Sequence, residues 1–348
     1  MKVAPVIREC ERRGVPVRFV HTGQHYDYSM SDDFIMALGI PQPDINLEVG
    51  SGTQGYQCAE VIKLLEADLA METPDAVIVV GDVNSTLGAA IAASKMFIPL
   101  AHVEAGLRSF NRGMPEELNR IATDALADFL FTTEESGNRN LAREGRGVDS
   151  IFLVGNTMID SLVLVMDKVK ASDVVSRLGL ASGEYCFVTL HRPSNVDEPG
   201  RLRDILVMLR GVSESLKVVF AIHPRTLKNI KSARCEDVIA CDKIKSIDPV
   251  GYIDSLALMS SARLVITDSG GIQGETTFLG VPCLTLRHET ELLVTVEFGT
   301  NLIVTEDCAL LLQTAVDVID GGGRQGRIPH QWDGHASERI LDILGERL

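Results

Sequence analysis

Two doubly wound parallel α/β units in tandem are the fold this sequence predicts, on three observations. Strand-like apolar runs alternate with helical patterns almost throughout, the signature of parallel sheets joined by crossover helices. The 348 residues are too many for one ordinary hydrophobic core and suit two. Just after the apolar run Leu264-Val265-Ile266-Thr267 comes Asp268-Ser269-Gly270-Gly271-Ile272-Gln273-Gly274-Glu275, a strand, a small-residue turn and the start of a helix. Such a turn makes an anion site, because glycines let the backbone approach and unpaired N–H groups at the helix start point at the ligand. A plain tight turn with Ser269 as N-cap explains the same pattern.

In the first half, Val17–His21, Ala76–Val80, Pro99–Val103, Phe129–Thr132 and Ile151–Val154 read as strands. Thr53–Glu72, Ser85–Lys95, Glu116–Ala127 and Gly137–Glu144 read as the helices between them. After the Gly155-Asn156-Thr157 turn, a helix near Met158–Lys170 leads to a second set of strands at Cys186–Leu190, Val218–Ile222, Leu264–Thr267 and Cys283–Leu286. Its helices lie near Arg201–Leu216, Thr226–Ser232, Tyr252–Ser260, Ile272–Leu279 and Ala309–Ile319. The closing amphipathic stretch Ala336–Leu348 is assigned back to the first domain, which gives domains at 1–157 plus 334–348 and at 158–333. The cleft between two such units is the default ligand site.

Formal charge is −15 at pH 7, with 33 Lys and Arg against 48 Asp and Glu. That balance argues against nucleic acid or an anionic membrane surface as a general partner, so an anionic ligand must be held by local groups. The seven cysteines form no Cys-x-x-Cys pair and read as reduced core residues. No apolar run approaches the roughly 20 residues that span a bilayer, and no leader pattern opens the chain, so a cytoplasmic protein is expected. The histidines lack close ligand spacing, so no metal is expected; the dinucleotide pattern is missing, so no nicotinamide cofactor is expected either.

Polar residues collect where strands should end. Asp82, after Val77–Val80, suits either a helix cap or a catalytic carboxylate. His102-Val103-Glu104-Ala105-Gly106-Leu107-Arg108 brings a His, a Glu and an Arg together, and a buried Glu104–Arg108 pair would explain the last two. Pro115-Glu116-Glu117-Leu118-Asn119-Arg120 opens a helix with two carboxylates in its first turn; Glu116 and Arg120 share a face and suit a plain i,i+4 pair. In the second half His191-Arg192 and His223-Pro224-Arg225 follow two strands at corresponding ends, beside the Ser269–Gly271 turn. Together they look like a grip for a diphosphate.

With these segments, Gly23-Gln24-His25-Tyr26-Asp27, Gly81-Asp82, Gly155-Asn156-Thr157 and Ala336-Ser337-Glu338-Arg339-Ile340 complete a pattern that resembles the non-hydrolysing UDP-N-acetylglucosamine 2-epimerases nearly end to end and in the same order. The resemblance implies two Rossmann-like domains facing across a cleft, the GT-B arrangement, in a homodimer that needs no cofactor. It implies interconversion of UDP-GlcNAc and UDP-ManNAc for cell-envelope polysaccharides, by elimination of UDP to 2-acetamidoglucal and re-addition. That route needs carboxyl groups on both faces of the sugar and strong stabilisation of the departing diphosphate. By resemblance Asp82, Glu104 and Glu116 are the acid/base candidates, Arg120 positions them, Lys2 matches an active-site lysine and His191 stabilises the diphosphate. Ser269, Gly270, Gly271, Glu275, Arg192, His223 and Tyr252 would hold UDP, with Glu275 on the ribose hydroxyls. Gln24 and His25 lie where some members bind a second, activating UDP-sugar.

Two departures stand out. The family opens with a buried strand of roughly five or six residues and a Gly-Thr-Arg-Pro turn, where this chain reads Met1-Lys2-Val3-Ala4-Pro5. The departure points to a start codon placed too late, with natural truncation as the alternative; it predicts a first domain short of one core strand and a frayed Lys2. Leu292 replaces a UDP-binding arginine, and losing a charge-assisted phosphate contact costs about 1.5–3 kcal/mol, so weakened UDP-sugar binding is expected. Gly274 stands where many members carry Glu, with Glu275 keeping the ligand role. The same residues would also serve a hydrolysing epimerase, an epimerase of a UDP-diacetamido-uronate, or a non-catalytic nucleotide-sugar-binding protein.

Overall fold

The computed structural model describes residues 1–23, 37–305 and 307–348. The chain forms two compact units, Met1–Leu164 with His330–Leu348, and Val165–Pro329. The helix Thr157–Ala171 carries the chain from one to the other.

The second unit holds six parallel strands: β7 (Tyr185–Thr189), β8 (Lys217–Ala221), β9 (Ile244–Ile247), β10 (Leu264–Thr267), β11 (Cys283–Leu286) and β12 (Asn301–Val304). Their spatial order, 12-11-10-7-8-9, is the complete doubly wound order, with the switch of direction between β7 and β10. The two edge strands β9 and β12 were not foreseen. Ile244-Lys245-Ser246-Ile247 has two polar residues at its centre and Asn301 opens the other, so neither is apolar over its whole length as a buried central strand would be.

The first unit contains β1 (Val20–His21), β2 (Ile45–Asn46), β3 (Val77–Val80), β4 (Leu100–Ala105), β5 (Phe129–Thr132) and β6 (Ile151–Leu153). Among the described residues these form two separate parallel sheets, β1-β2 and β3-β4-β5-β6. A doubly wound sheet seats its first strand between the strands that correspond to β1 and β3. Among the described residues no strand pairing joins β1 to β3. Successive residues of β4 and β5 point to opposite faces. Leu100 and Leu130 join Leu65, Leu69, Ala90 and Leu141 on one side. Ala101, Val103 and Phe131 join Val6, Cys10, Ile340 and Leu344 on the other.

That second face is covered by the helices Ala4–Arg13 and Ala336–Arg347. The first has Pro5 in its opening turn and stops at the left-handed Gly14. The closing helix is anchored by Asp160, whose carboxylate accepts from Ala336 N (3.1 Å), Ser337 N (2.7 Å) and Ser337 Oγ (2.8 Å). Just before it the buried Trp332 donates Nε1–H to Thr133 O at 2.9 Å. All seven cysteines are free thiols, and no described helix is long and apolar enough to cross a membrane.

Candidate active site

In the first unit the carboxylates gather at the C-terminal ends of β3 and β4. Asp82 is not a helix cap: the following helix runs Asn84–Lys95 with Val83 at its cap position. Its carboxylate instead pairs with the buried Arg120, and its carbonyl accepts from Asn119 Nδ2 at 2.9 Å. The Glu116–Arg120 pair allowed by spacing does not form. Arg120 turns to Asp82 and, at 2.7 Å, to Glu117, while Glu116 is half-buried with no hydrogen bond or ion pair among the described residues.

Glu117, which sequence reasoning did not single out, is the buried partner of Arg120 beside these carboxylates. Besides Arg120 it accepts from Ser109 N (2.9 Å), Ser109 Oγ (3.1 Å) and Phe110 N (2.9 Å). Burial pushes its carboxyl up, but the Ser109 amide, Arg120 and the Phe110 amide outweigh this and hold it below the usual carboxylate range. The doubled Glu116-Glu117 signalled only a helix start, since nothing local tells which of the two turns inward.

Glu104 sits at a β-bulge, where the pairing of β4 with β5 shifts between Val103 and Ala105, and its φ is +73°. Left-handed backbone at a non-glycine residue costs about 1–3 kcal/mol and persists only where the surroundings impose it. The bulge aims the carboxylate at Lys2, whose Nζ lies 2.5 Å from Oε2. Lys2 is therefore held, not frayed; the start of its helix is further tied by Ser161 Oγ donating to Met1 O at 2.9 Å. Gly81, at φ +79°, brings the preceding turn so close that an added Cβ would lie 3.4 Å from Lys2 Nζ and 3.7 Å from Glu104 Oε2. The expected Glu104–Arg108 pair is also absent. Arg108 pairs with Asp124 at 2.7 Å and with Glu144 at 2.6 Å.

In the second unit the anion-site turn follows β10. Ser269 occupies the N-cap position of the helix Gly270–Leu279, but its side chain makes no capping bond, so hydroxyl capping does not account for the turn. Gly270 has a specific cause: a Cβ there would meet Glu291 Oε1 at 2.8 Å and Arg287 Nη1 at 3.5 Å. Arg287, also missed from sequence, is a buried cation beside this helix start, paired with Glu291 at 2.8 Å. Leu292 is buried, at the cap position of the short helix Leu293–Glu297, with its N–H on Thr290 Oγ1 at 3.1 Å.

Asp268 organises the opposite side of the turn. Fully buried, it accepts from His191 N (3.1 Å), Arg192 N (2.9 Å) and Asn195 Nδ2 (3.1 Å), and lies 3.0 Å from His191 Nδ1. Burial pushes its carboxyl up; the bonds from His191, Arg192 and Asn195 more than offset this and hold it below the usual range. His191 thus has one nitrogen fixed and 43% of its side chain exposed, with the His223 ring 5.7 Å away between centroids. His223 Nδ1 accepts from Arg225 N at 3.2 Å, and Arg192 is half-buried next to His191. Gly271 lies in the first turn of the helix and Glu275 one turn on, buried, with Tyr252 beside it. Burial pushes the Glu275 carboxyl up to about 7, and burial with the Glu275 charge pushes the Tyr252 phenol up.

Gln24 and His25 lie outside the described residues. No group of three or more His, Cys, Asp or Glu side chains is placed to hold a metal among the described residues.

The profile of the family described as UDP-N-acetylglucosamine 2-epimerase matches residues 8–345. The chain belongs to this family. A Methanocaldococcus jannaschii protein named UDP-N-acetylglucosamine 2-epimerase is 40% identical over 353 residues, covering 99% of this epimerase-family chain and 95% of its relative. The crystal structure of M. jannaschii UDP-GlcNAc 2-epimerase in complex with UDP-GlcNAc and UDP superposes with a TM-score of 0.89 at 40% identity, covering 99% and 96% of the two chains. A Pseudomonas aeruginosa protein named UDP-2,3-diacetamido-2,3-dideoxy-D-glucuronate 2-epimerase is 39% identical over 336 residues, covering 94% of this chain and 90% of that one. The α/β fold of two Rossmann-like units is that of the GT-B epimerases.

Proposed function

We propose that the protein interconverts UDP-GlcNAc and UDP-ManNAc, without hydrolysis, through 2-acetamidoglucal. The observation that carries this reading is the different electrostatic setting of each carboxylate in the first unit. Glu104 faces Lys2, Asp82 faces Arg120, and Glu116 has no partner among the described residues. The C2 proton of the sugar is not acidified by a carbonyl, so its loss must be coupled to departure of the anomeric oxygen. One carboxylate takes the C2 proton while the C1–O bond breaks and its electron pair leaves with UDP. A second carboxyl group returns a proton to C2 from the opposite face, and the β-phosphate oxygen re-forms the bond to C1. Unequal environments keep one group ionised and another able to donate.

The second unit carries nucleotide-binding groups of its own. Ser269, Gly270 and Gly271 present amides to the diphosphate, His191 donates to it, Arg192 and His223 add cationic and polar contacts, and Glu275 with Tyr252 takes the nucleoside. Arg287 places a buried cation beside the helix start. The nucleotide-sugar substrate supports a cytoplasmic setting, and the family resemblance supports a homodimer, which light scattering checks.

Incubation with UDP-GlcNAc in deuterated water tests the reading. Deuterium at C2 of both UDP-sugar epimers is the expected outcome. Free N-acetylmannosamine would show the hydrolysing reaction, and binding without exchange would refute the enzyme reading. The 39% identical P. aeruginosa relative favours a second substrate, a UDP-diacetamido-glucuronate. A higher kcat/KM for that compound than for UDP-GlcNAc would establish it.

A further inference from the structure

We propose that His102 is a positioning residue for the reaction, an imidazolium clasp that holds the Asp82 turn against the Glu104 bulge. The inference rests on the epimerase reading above. His102 lies in β4 and is fully buried, as is Asp124 on the Pro115–Leu126 helix. His102 Nε2 is 2.8 Å from Gly81 O. A carbonyl oxygen only accepts, so Nε2 carries a proton. Nδ1 is 2.6 Å from Asp124 Oδ1. The Asp124 carboxylate is paired with the Arg108 guanidinium and accepts from the Gly106 amide, which holds it ionised, so this oxygen accepts as well. Both ring nitrogens therefore donate, and the ring is the doubly protonated form.

The other oxygen of Asp124 completes the clasp. It accepts from Gly106 N at 3.0 Å and pairs with Arg108 Nη2 at 2.7 Å. One imidazole and one carboxylate thus join the backbone immediately before Asp82 to the backbone two residues beyond Glu104. Neither ring nor carboxylate is exposed, so neither meets the sugar. What they set is the separation of two acid/base candidates, and they impose the left-handed backbone that aims Glu104 at Lys2. An imidazolium suits this place because its two donors point outward from opposite sides of a rigid ring. An asparagine or glutamine amide in β4 cannot reach the Gly81 carbonyl and the Asp124 carboxylate together.

The test compares wild type, His102→Asn, Asp124→Asn and the double variant, with kcat, KM, UDP affinity by calorimetry and melting temperature measured on each. Displacing a reacting group by an ångström costs about 100-fold in rate. Each single variant is therefore expected to lose about that much kcat while KM and UDP affinity hold, and the double variant to be no worse than the poorer single. Unchanged kcat per folded His102→Asn site, or losses that multiply in the double variant, would overturn the proposal. An inactive wild type would sink the epimerase reading instead. In that case, or if the variants do not fold, the 15N spectrum of histidine-labelled wild type decides: a buried ring with two protonated nitrogens is expected, and a neutral tautomer there contradicts the clasp.

Discussion

Each unit carries a buried aspartate paired with a histidine, and the two couples are finished differently. In the first, His102 has an acceptor at both nitrogens, Asp124 and the Gly81 carbonyl, and is fully enclosed. In the second, Asp268 fixes only Nδ1 of His191, and the rest of that ring faces outward beside His223. A histidine with every donor satisfied inside the protein can only hold structure in place. One with a single nitrogen satisfied has its other nitrogen left for a ligand. In the proposed reading the same pair of residue types serves as a clasp for acid/base groups in one unit and presents an exposed ring to the diphosphate in the other.

Replacing the presented ring should have the largest effect. His191→Asn removes the donor to the departing diphosphate, and loss of one such preorganised donor lowers kcat about 10²- to 10³-fold. Stopped assays of UDP-GlcNAc conversion check this, and an unchanged kcat would remove the distinction between the couples.

Glu275 extends the comparison to a buried carboxylate whose close neighbour is a phenol, not a histidine. Burial raises its folded pKa to about 7 from the ordinary glutamate value of 4.5, so the folded state binds the extra proton between those values. The proton-linked stability is present below pH 4.5 and is lost as pH rises through 7. Full expression of that shift is worth about 3 kcal/mol. Glu275→Gln should flatten this dependence, raising stability at pH 8 relative to wild type in urea melts while weakening UDP binding. Parallel stability–pH curves for the two proteins would contradict it.

Asp268→Asn should cost less than His191→Asn, since the ring remains and only the charge behind it is lost. A hydrogen bond to a charged group is worth roughly 1.5 kcal/mol at the lower end, or about tenfold in kcat. The smallest effect is expected at the rim of the first couple. Glu144 pairs with Arg108 but is 37% exposed, so Glu144→Gln should change stability by about 0–1 kcal/mol and leave kcat alone. A large kcat loss there would mean that the clasp extends to the surface.

The residues proposed to face ligand were legible as candidates because they stand in compact motifs: Gly81-Asp82, Glu104, Glu116, His191 and Ser269–Gly271. Their supports were not. Glu117, Asp124, Asp268 and Arg287 act through contacts across the fold, and nothing in their neighbours in sequence says which way they turn. Three ion-pair or cap readings were physically sound for an isolated segment and lost to tertiary competition. Arg120 preferred Asp82 and Glu117 to Glu116, Arg108 preferred Asp124 and Glu144 to Glu104, and Asp82 was drawn from its cap by Arg120. In the fold, the fully buried β10 and β11 declared themselves as apolar runs, while the edge strands β9 and β12 and the two-residue β1 and β2 were too polar or too short to do so in full.

The most direct test of the contrast is a UDP titration of 15N-histidine-labelled protein. The Nε2 resonance of His191 should move on UDP binding, while His102 keeps both protonated nitrogens and does not move. A shift at His102 with none at His191 would contradict the account.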